Sequence, residues 1–167
     1  RDLSALGYTF EGGRTVVFDG PQVASLLDDT RIVDYLVELL VSFVKVHGTT
    51  VTVRVRKGAW SRFRFDDLDL MGLIRYASSL EEAQRFPWYR RIADLCLFLT
   101  GVFPEYIERS AGAGARELAR RTTADNGRSF YRAAASHPEA ARAGTAEVLS
   151  RLAEGFDLAA KPLEHMS

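Results

Sequence analysis

The chain has 167 residues, a size that one domain can fill while folding hides roughly 70% of the surface its unfolded form exposes. Apolar residues make up 47% and charged residues 26%, a composition that excludes an intrinsically disordered chain. Its 22 basic and 22 acidic side chains cancel, so no global field draws it to nucleic acid or an anionic membrane, and only local patches can do so.

Near the start, Tyr8-Thr9-Phe10 and Thr15-Val16-Val17-Phe18 are short β-prone runs on either side of Glu11-Gly12-Gly13-Arg14, which predicts a small hairpin. Gln22 to Leu27 predicts a short helix, and Asp28-Asp29-Thr30 offers caps for the next one. From Arg31 to His47, Ile32, Val33, Leu36, Leu39, Leu40, Phe43 and Val44 recur mostly at three- and four-residue spacing, the period of a helix with one apolar face. Gly48 follows as its stop.

The period then changes to two. Val51, Val53 and Val55 alternate with Thr50, Thr52, Arg54 and Arg56, and Phe63 and Phe65 alternate with Arg62 and Arg64 across the turn at Lys57-Gly58, which predicts a second hairpin. Asp66 and Asp67 suit the first turn of a helix running to about Ala77. Ser79-Leu80-Glu81-Glu82 reads as a capping box leading a short helix to Phe86.

Pro87 fits a first helical turn, and the helix it opens carries the most apolar run of the chain, Ile92 to Phe103. At about 12 residues, with Asp94 and Thr100 inside it, that run is shorter than the roughly 20 residues of a membrane span, so a buried helix is expected and no membrane partner. Ala111 to Ala115 is the candidate flexible joint. Beyond it, Arg116 to Thr123, Arg128 to Ala135 and Pro138 to Lys161 are predicted helices, broken at Asp125-Asn126-Gly127 and His137-Pro138. The expected fold is mainly α, bundle-like, with one or two small β-hairpins, as a single helical domain over 1–167.

Among residues able to carry chemistry, Asp94 stands out because an unpaired carboxylate inside an apolar helix is costly. Its bland reading is an ion pair with Arg90, Arg91 or another helix. Its functional reading is a polar group in a ligand pocket shared with Tyr89 and Tyr131. Arg54, Arg56, Arg62 and Arg64, with Trp60 interleaved, can grip phosphates and stack a base, or simply form the solvated face of a hairpin. Cys96 lies mid-helix among leucines, which favours a core thiol over a nucleophile and a reducing, cytoplasmic compartment over a secreted one. His47, His137 and His165 lack metal-ligand spacing, and the glycines form no phosphate loop, so neither metal nor cofactor is expected.

The run Ile92-Ala93-Asp94-Leu95-Cys96-Leu97-Phe98-Leu99-Thr100-Gly101-Val102-Phe103-Pro104-Glu105 resembles a "GD-x-x-LFLTG-x-FPE" stretch in a group of bacterial proteins with no established activity. Gly127 to Ala134, as Gly-x-x-x-Tyr-x-x-Ala, is similar to a downstream helix of that group. Ala93 stands where the group has glycine. The resemblance implies a bacterial helical domain and carries over no functional residue.

With excess apolar helix surface and no discernible reaction centre, the leading expectation is a non-enzymatic accessory or regulatory domain that binds another protein or a second copy of itself. The rivals are nucleic-acid or phosphate-ligand binding through the arginine-rich hairpin, and an enzyme or small-ligand receptor with its pocket near Asp94.

Overall fold

The computed structural model describes residues 8–11, 14–17, 20–46, 50–56, 59–64 and 70–165, and side chains within 20–43 and 70–165. The protein is mainly helical. The described helices are α1 (Gly20–Leu27), α2 (Thr30–Val46), α3 (Leu70–Ser79), α4 (Phe86–Gly101), α5 (Pro104–Ala111), α6 (Arg116–Ser136), α7 (Pro138–Ala143), α8 (Ala146–Glu154) and α9 (Phe156–Glu164). Backbone pairing joins Tyr8–Glu11 to Arg14–Val17, and Thr50–Arg56 to Ala59–Arg64, each antiparallel. The turns at Gly12-Gly13 and Lys57-Gly58, the stop at Gly48 and the acidic cap at Asp66-Asp67 fall outside the described residues.

Everything else is arranged around α4. A helix with apolar side chains on all sides must be covered on all sides, and Ile92, Ala93, Asp94, Leu95, Cys96 and Leu97 are six consecutive buried residues. The leucines and isoleucine among them contribute roughly 2 kcal/mol each by leaving water. α4 packs on α6, α9, α3, α5 and α2, while α6 packs in turn on α8. The closest approaches fall at two glycines. A Cβ on Gly101 would lie 2.7 Å from the Cβ of Leu163 on α9, and one on Gly127 would lie 2.3 Å from the Phe156 ring and 3.0 Å from the Cβ of Cys96.

That second approach corrects one expectation. Asp125-Asn126-Gly127 reads locally as a break, yet α6 runs unbroken from Arg116 to Ser136. The small surface of Gly127 lets α6 lie against α4 and Phe156, and the contact outweighs a helix-propensity loss of about 1 kcal/mol. The converse holds downstream, where one helix is expected over 138–161 and three occur. Gly144 ends α7 at φ 71°, the left-handed conformation that favours glycine. Gly155 separates α8 from α9, and α9 continues past Lys161 to Glu164. The stripe of Val148, Leu149, Leu152, Phe156 and Ala159 is buried nonetheless.

The capping box at Ser79 does not form. Ser79 is the last residue of α3, and its hydroxyl donates to the Tyr76 carbonyl at 2.6 Å. Only one turn of 3₁₀ helix, Glu82–Gln84, precedes α4, and no side chain caps it. His137 does cap the next helix: its Nδ1 accepts from the Glu139 amide at 3.1 Å, while Nε2 lies 2.9 Å from the Glu82 carbonyl oxygen. Capping through Nδ1 leaves the hydrogen on Nε2, so the ring donates to Glu82 and ties the two segments together.

Asp29 fastens the opposite end. Its carboxylate accepts from the Arg31 amide at 3.0 Å, capping α2, and from Arg151 of α8 at 2.6 Å. The Arg31 hydrogen bonds, more than any other partner, hold its carboxyl at about 2, so this tie is ionised across the neutral and mildly acid range.

Candidate functional site

Asp94 lies on α4 where two neighbouring helices each bring a hydroxyl donor to it. On α2, Tyr35 falls on the same buried face as Ile32, Leu36 and Leu39; on α6, Tyr131 lies one turn beyond Gly127. The close α6–α4 approach at Gly127 is what brings the Tyr131 hydroxyl within reach. Tyr35 and Tyr131 both donate to Asp94 Oδ1, at 2.6 and 2.7 Å. Their rings meet edge to face at 6.4 Å between centroids. Behind Tyr35, Arg90 donates from Nε to the phenol oxygen at 3.1 Å and places its guanidinium 4.8 Å from the ring centroid. Arg91 repeats the arrangement one residue on, donating to Ser42 at 2.8 Å with its guanidinium 4.0 Å from the Phe43 centroid.

Burial raises the Asp94 carboxyl to about 6, against the two tyrosine hydrogen bonds and the nearby Arg90 and Arg91 charges, which favour ionisation. Burial, followed by the neighbouring carboxylate, pushes both phenols well above their ordinary range, so both act as O–H donors at any physiological pH. Burial likewise pushes the Cys96 thiol up to about 12, so it is protonated at neutral pH. The arrangement can hold or release one proton.

Of the residues singled out from sequence, Asp94 and Tyr131 come together and Tyr89 does not. The Tyr89 hydroxyl donates to Glu82 at 3.2 Å and its ring lies against Phe130. Tyr35 was missed, although its place three residues after Ile32 and four before Leu39 puts it on the apolar stripe of α2. Arg54, Arg56, Trp60, Arg62 and Arg64 have described backbone only.

A second feature lies apart from Asp94. α3, α5 and α6 enclose an open apolar groove of about 500 Å³, floored by Leu99 of α4 and walled by Met71, Ile107, Leu118 and Ala119. Leu118 and Met71 on its rim are 67% and 57% exposed. Among the described residues no charged side chain lines it, and Thr122 and Thr123 turn their hydroxyls onto their own helix, donating to the carbonyls of Leu118 and Ala119. Gly112 and Gly114, both at positive φ, form the turn at one end of this groove between α5 and α6.

Among the described residues no helix is long and apolar enough to cross a membrane, and no cluster of histidine, cysteine and carboxylate side chains could hold a metal. Comparison of the chain with protein-family models, curated proteins and solved structures returns no match.

Proposed function

We propose that this protein is a non-enzymatic bacterial accessory or regulatory domain, acting in the cytoplasm by binding another protein or a second copy of itself. The observation that carries the reading is the apolar groove between α5 and α6, with Leu118 and Met71 standing out at its rim. Large apolar side chains on a groove edge cost solubility, and the apolar face of an amphipathic helix is the partner surface that such a groove accepts. The rival in which Asp94 serves a small ligand loses support, because Tyr35 and Tyr131 already spend their hydrogens on that carboxylate.

Leu118→Glu tests it, since the substitution puts a charge on the rim at a residue already mostly exposed. We expect the helical circular dichroism and Tm to stay within experimental error of the parent. Self-association in light scattering, or capture of a protein partner from the source cell, is expected with the parent and lost with the variant. A strict monomer, with the same captured proteins on both baits, would overturn the proposal.

A second reading has its own support. The strand register sets Thr50 opposite Arg64, Thr52 opposite Arg62 and Arg54 opposite Trp60, register positions of one parity. Such a basic and aromatic strip would bind nucleic acid or a phosphate ligand, with affinity falling steeply as salt rises. The double variant Arg62→Ala/Arg64→Ala is expected to weaken binding to a single-stranded oligonucleotide at least tenfold and to flatten its salt dependence. Unchanged binding removes this reading.

A further inference from the structure

We propose that the groove between α5 and α6 takes α2 of a second copy of this chain, valines first, an assignment that rests on the groove being a docking surface. Val33, Val37 and Val41 are exposed on α2 at four-residue spacing, outside the buried stripe of Ile32, Leu36 and Leu39. Side chains four apart on a helix line up as one ridge. Among the described residues the large exposed apolar side chains, Phe103 apart, fall in two places: this ridge and the rim formed by Met71 and Leu118. One surface is convex and the other concave.

Their dimensions agree. At 1.5 Å per residue the ridge is about 12 Å long, and the wall that α6 gives the groove from Ala115 to Asn126 is about 16 Å long. Ala111, Ala115 and Ala119 line the groove with small side chains, which lets a helix backbone come close.

Charge favours a copy of this chain over an arbitrary apolar helix. Asp34 and Glu38 each follow a valine, so carboxylates run along one edge of the ridge, and no basic residue lies between Val33 and Val41. The helices around the groove carry the reverse balance. Arg75 of α3, Arg109 of α5 and Arg116 of α6 are exposed and form no ion pair among the described residues. Glu108 and Glu117 are already held by Arg120 and Arg121, which leaves Glu105 as the unpaired acid of α5. Unspent cations beside the groove therefore meet unspent carboxylates beside the ridge, and opposite charges at a rim set orientation and suppress wrong partners.

Ridge and groove are different surfaces, so the contact is heterologous, and a pair keeps one ridge and one groove open unless the contacts close into a ring. Three turns of helix bury less than the roughly 1,200 Å² of a stable interface, so the association is weak and concentration-dependent.

Sedimentation velocity on the whole chain tests it from about 10 µM to about 1 mM, the range of weak contacts. The parent is expected to associate. Val37→Glu charges the ridge at a residue 51% exposed, and Leu118→Glu charges the groove rim. Each should associate at least tenfold more weakly than the parent, with unchanged helical circular dichroism. Mixed in equal amounts, the two variants should form a 1:1 pair and nothing larger, because the first keeps an intact groove and the second an intact ridge. Association that survives Val37→Glu but not Leu118→Glu would overturn α2 as the occupant and leave the groove a docking surface. A mixture that stays monomeric would also overturn the assignment. So would a parent that is monomeric throughout, and the groove would then stand or fall on whether Leu118→Glu loses a protein that the parent captures.

Discussion

Replacing Gly127 by alanine is expected to destabilise the protein by about 2 kcal/mol, and the sign is decided by packing against propensity. In an isolated helix the change gains about 1 kcal/mol, because alanine loses less backbone entropy than glycine. Here the new methyl would sit 2.3 and 2.6 Å from two atoms of the Phe156 ring, whose side chain is fully buried and has no open space to enter. Overpacking of this kind costs about 1–3 kcal/mol, and contacts this short on a ring with no exposed edge place it at the upper end. The net loss should lower Tm by roughly 4–8 °C for a chain of this size. Denaturant unfolding of the parent, Gly127→Ala, Phe156→Leu and the double variant checks it. The smaller side chain at 156 should recover part of the loss, giving a coupling energy of about 1 kcal/mol between the two sites. Additive effects, or an alanine variant as stable as the parent, would show that α6 and α9 do not meet in this way.

The second large effect separates two substitutions at Asp94 that a count of lost contacts would rank together. Asp94→Ala leaves the Tyr131 and Tyr35 hydroxyls without their acceptor, at about 2 kcal/mol each, and opens a small cavity worth about 1 kcal/mol more. It also removes a buried charge. At pH 7 that charge costs about 3 kcal/mol, since the carboxyl is displaced from 3.8 to about 6. The alanine variant should therefore be about 2 kcal/mol less stable at pH 7 and about 4 kcal/mol less stable at pH 4.5, where the parent's folded carboxyl is protonated and only about 1 kcal/mol of the relief remains. Asp94→Asn keeps the acceptor and removes the charge, so at pH 7.5 it is expected to be at least as stable as the parent. Urea unfolding at the two pH values checks both. An asparagine variant weaker than the alanine one at pH 7.5 would mean that the carboxylate charge itself holds the core.

These two sites are one piece of architecture. Gly127 sets how near α6 comes to α4, and that distance determines whether Tyr131 reaches Asp94. The apolar groove lies on the outer side of the same helix, between α6 and α5, so the face offered to a partner and the buried carboxyl share α6 as a common wall.

The sequence by itself determined the features that depend on periodicity. The apolar face of α2, the all-round apolar character of α4 and the stripe from Val148 to Ala159 were legible because 3.6-residue spacing is a local property. The oddity of Asp94 was legible too, since a carboxylate among leucines needs an explanation wherever it lies. Its partners were not. Arg90 and Arg91 are near in sequence and looked like the natural counter-charges, but the hydrogens reaching Oδ1 come from Tyr35, 59 residues earlier, and Tyr131, 37 residues later. Nothing in local spacing measures such a separation. Continuity through Asp125-Asn126-Gly127 and division at Gly144 were decided only by tertiary structure. A glycine that breaks a helix in isolation continues one where its missing side chain lets two helices touch, and it ends one where the chain must take a left-handed turn to stay on the core.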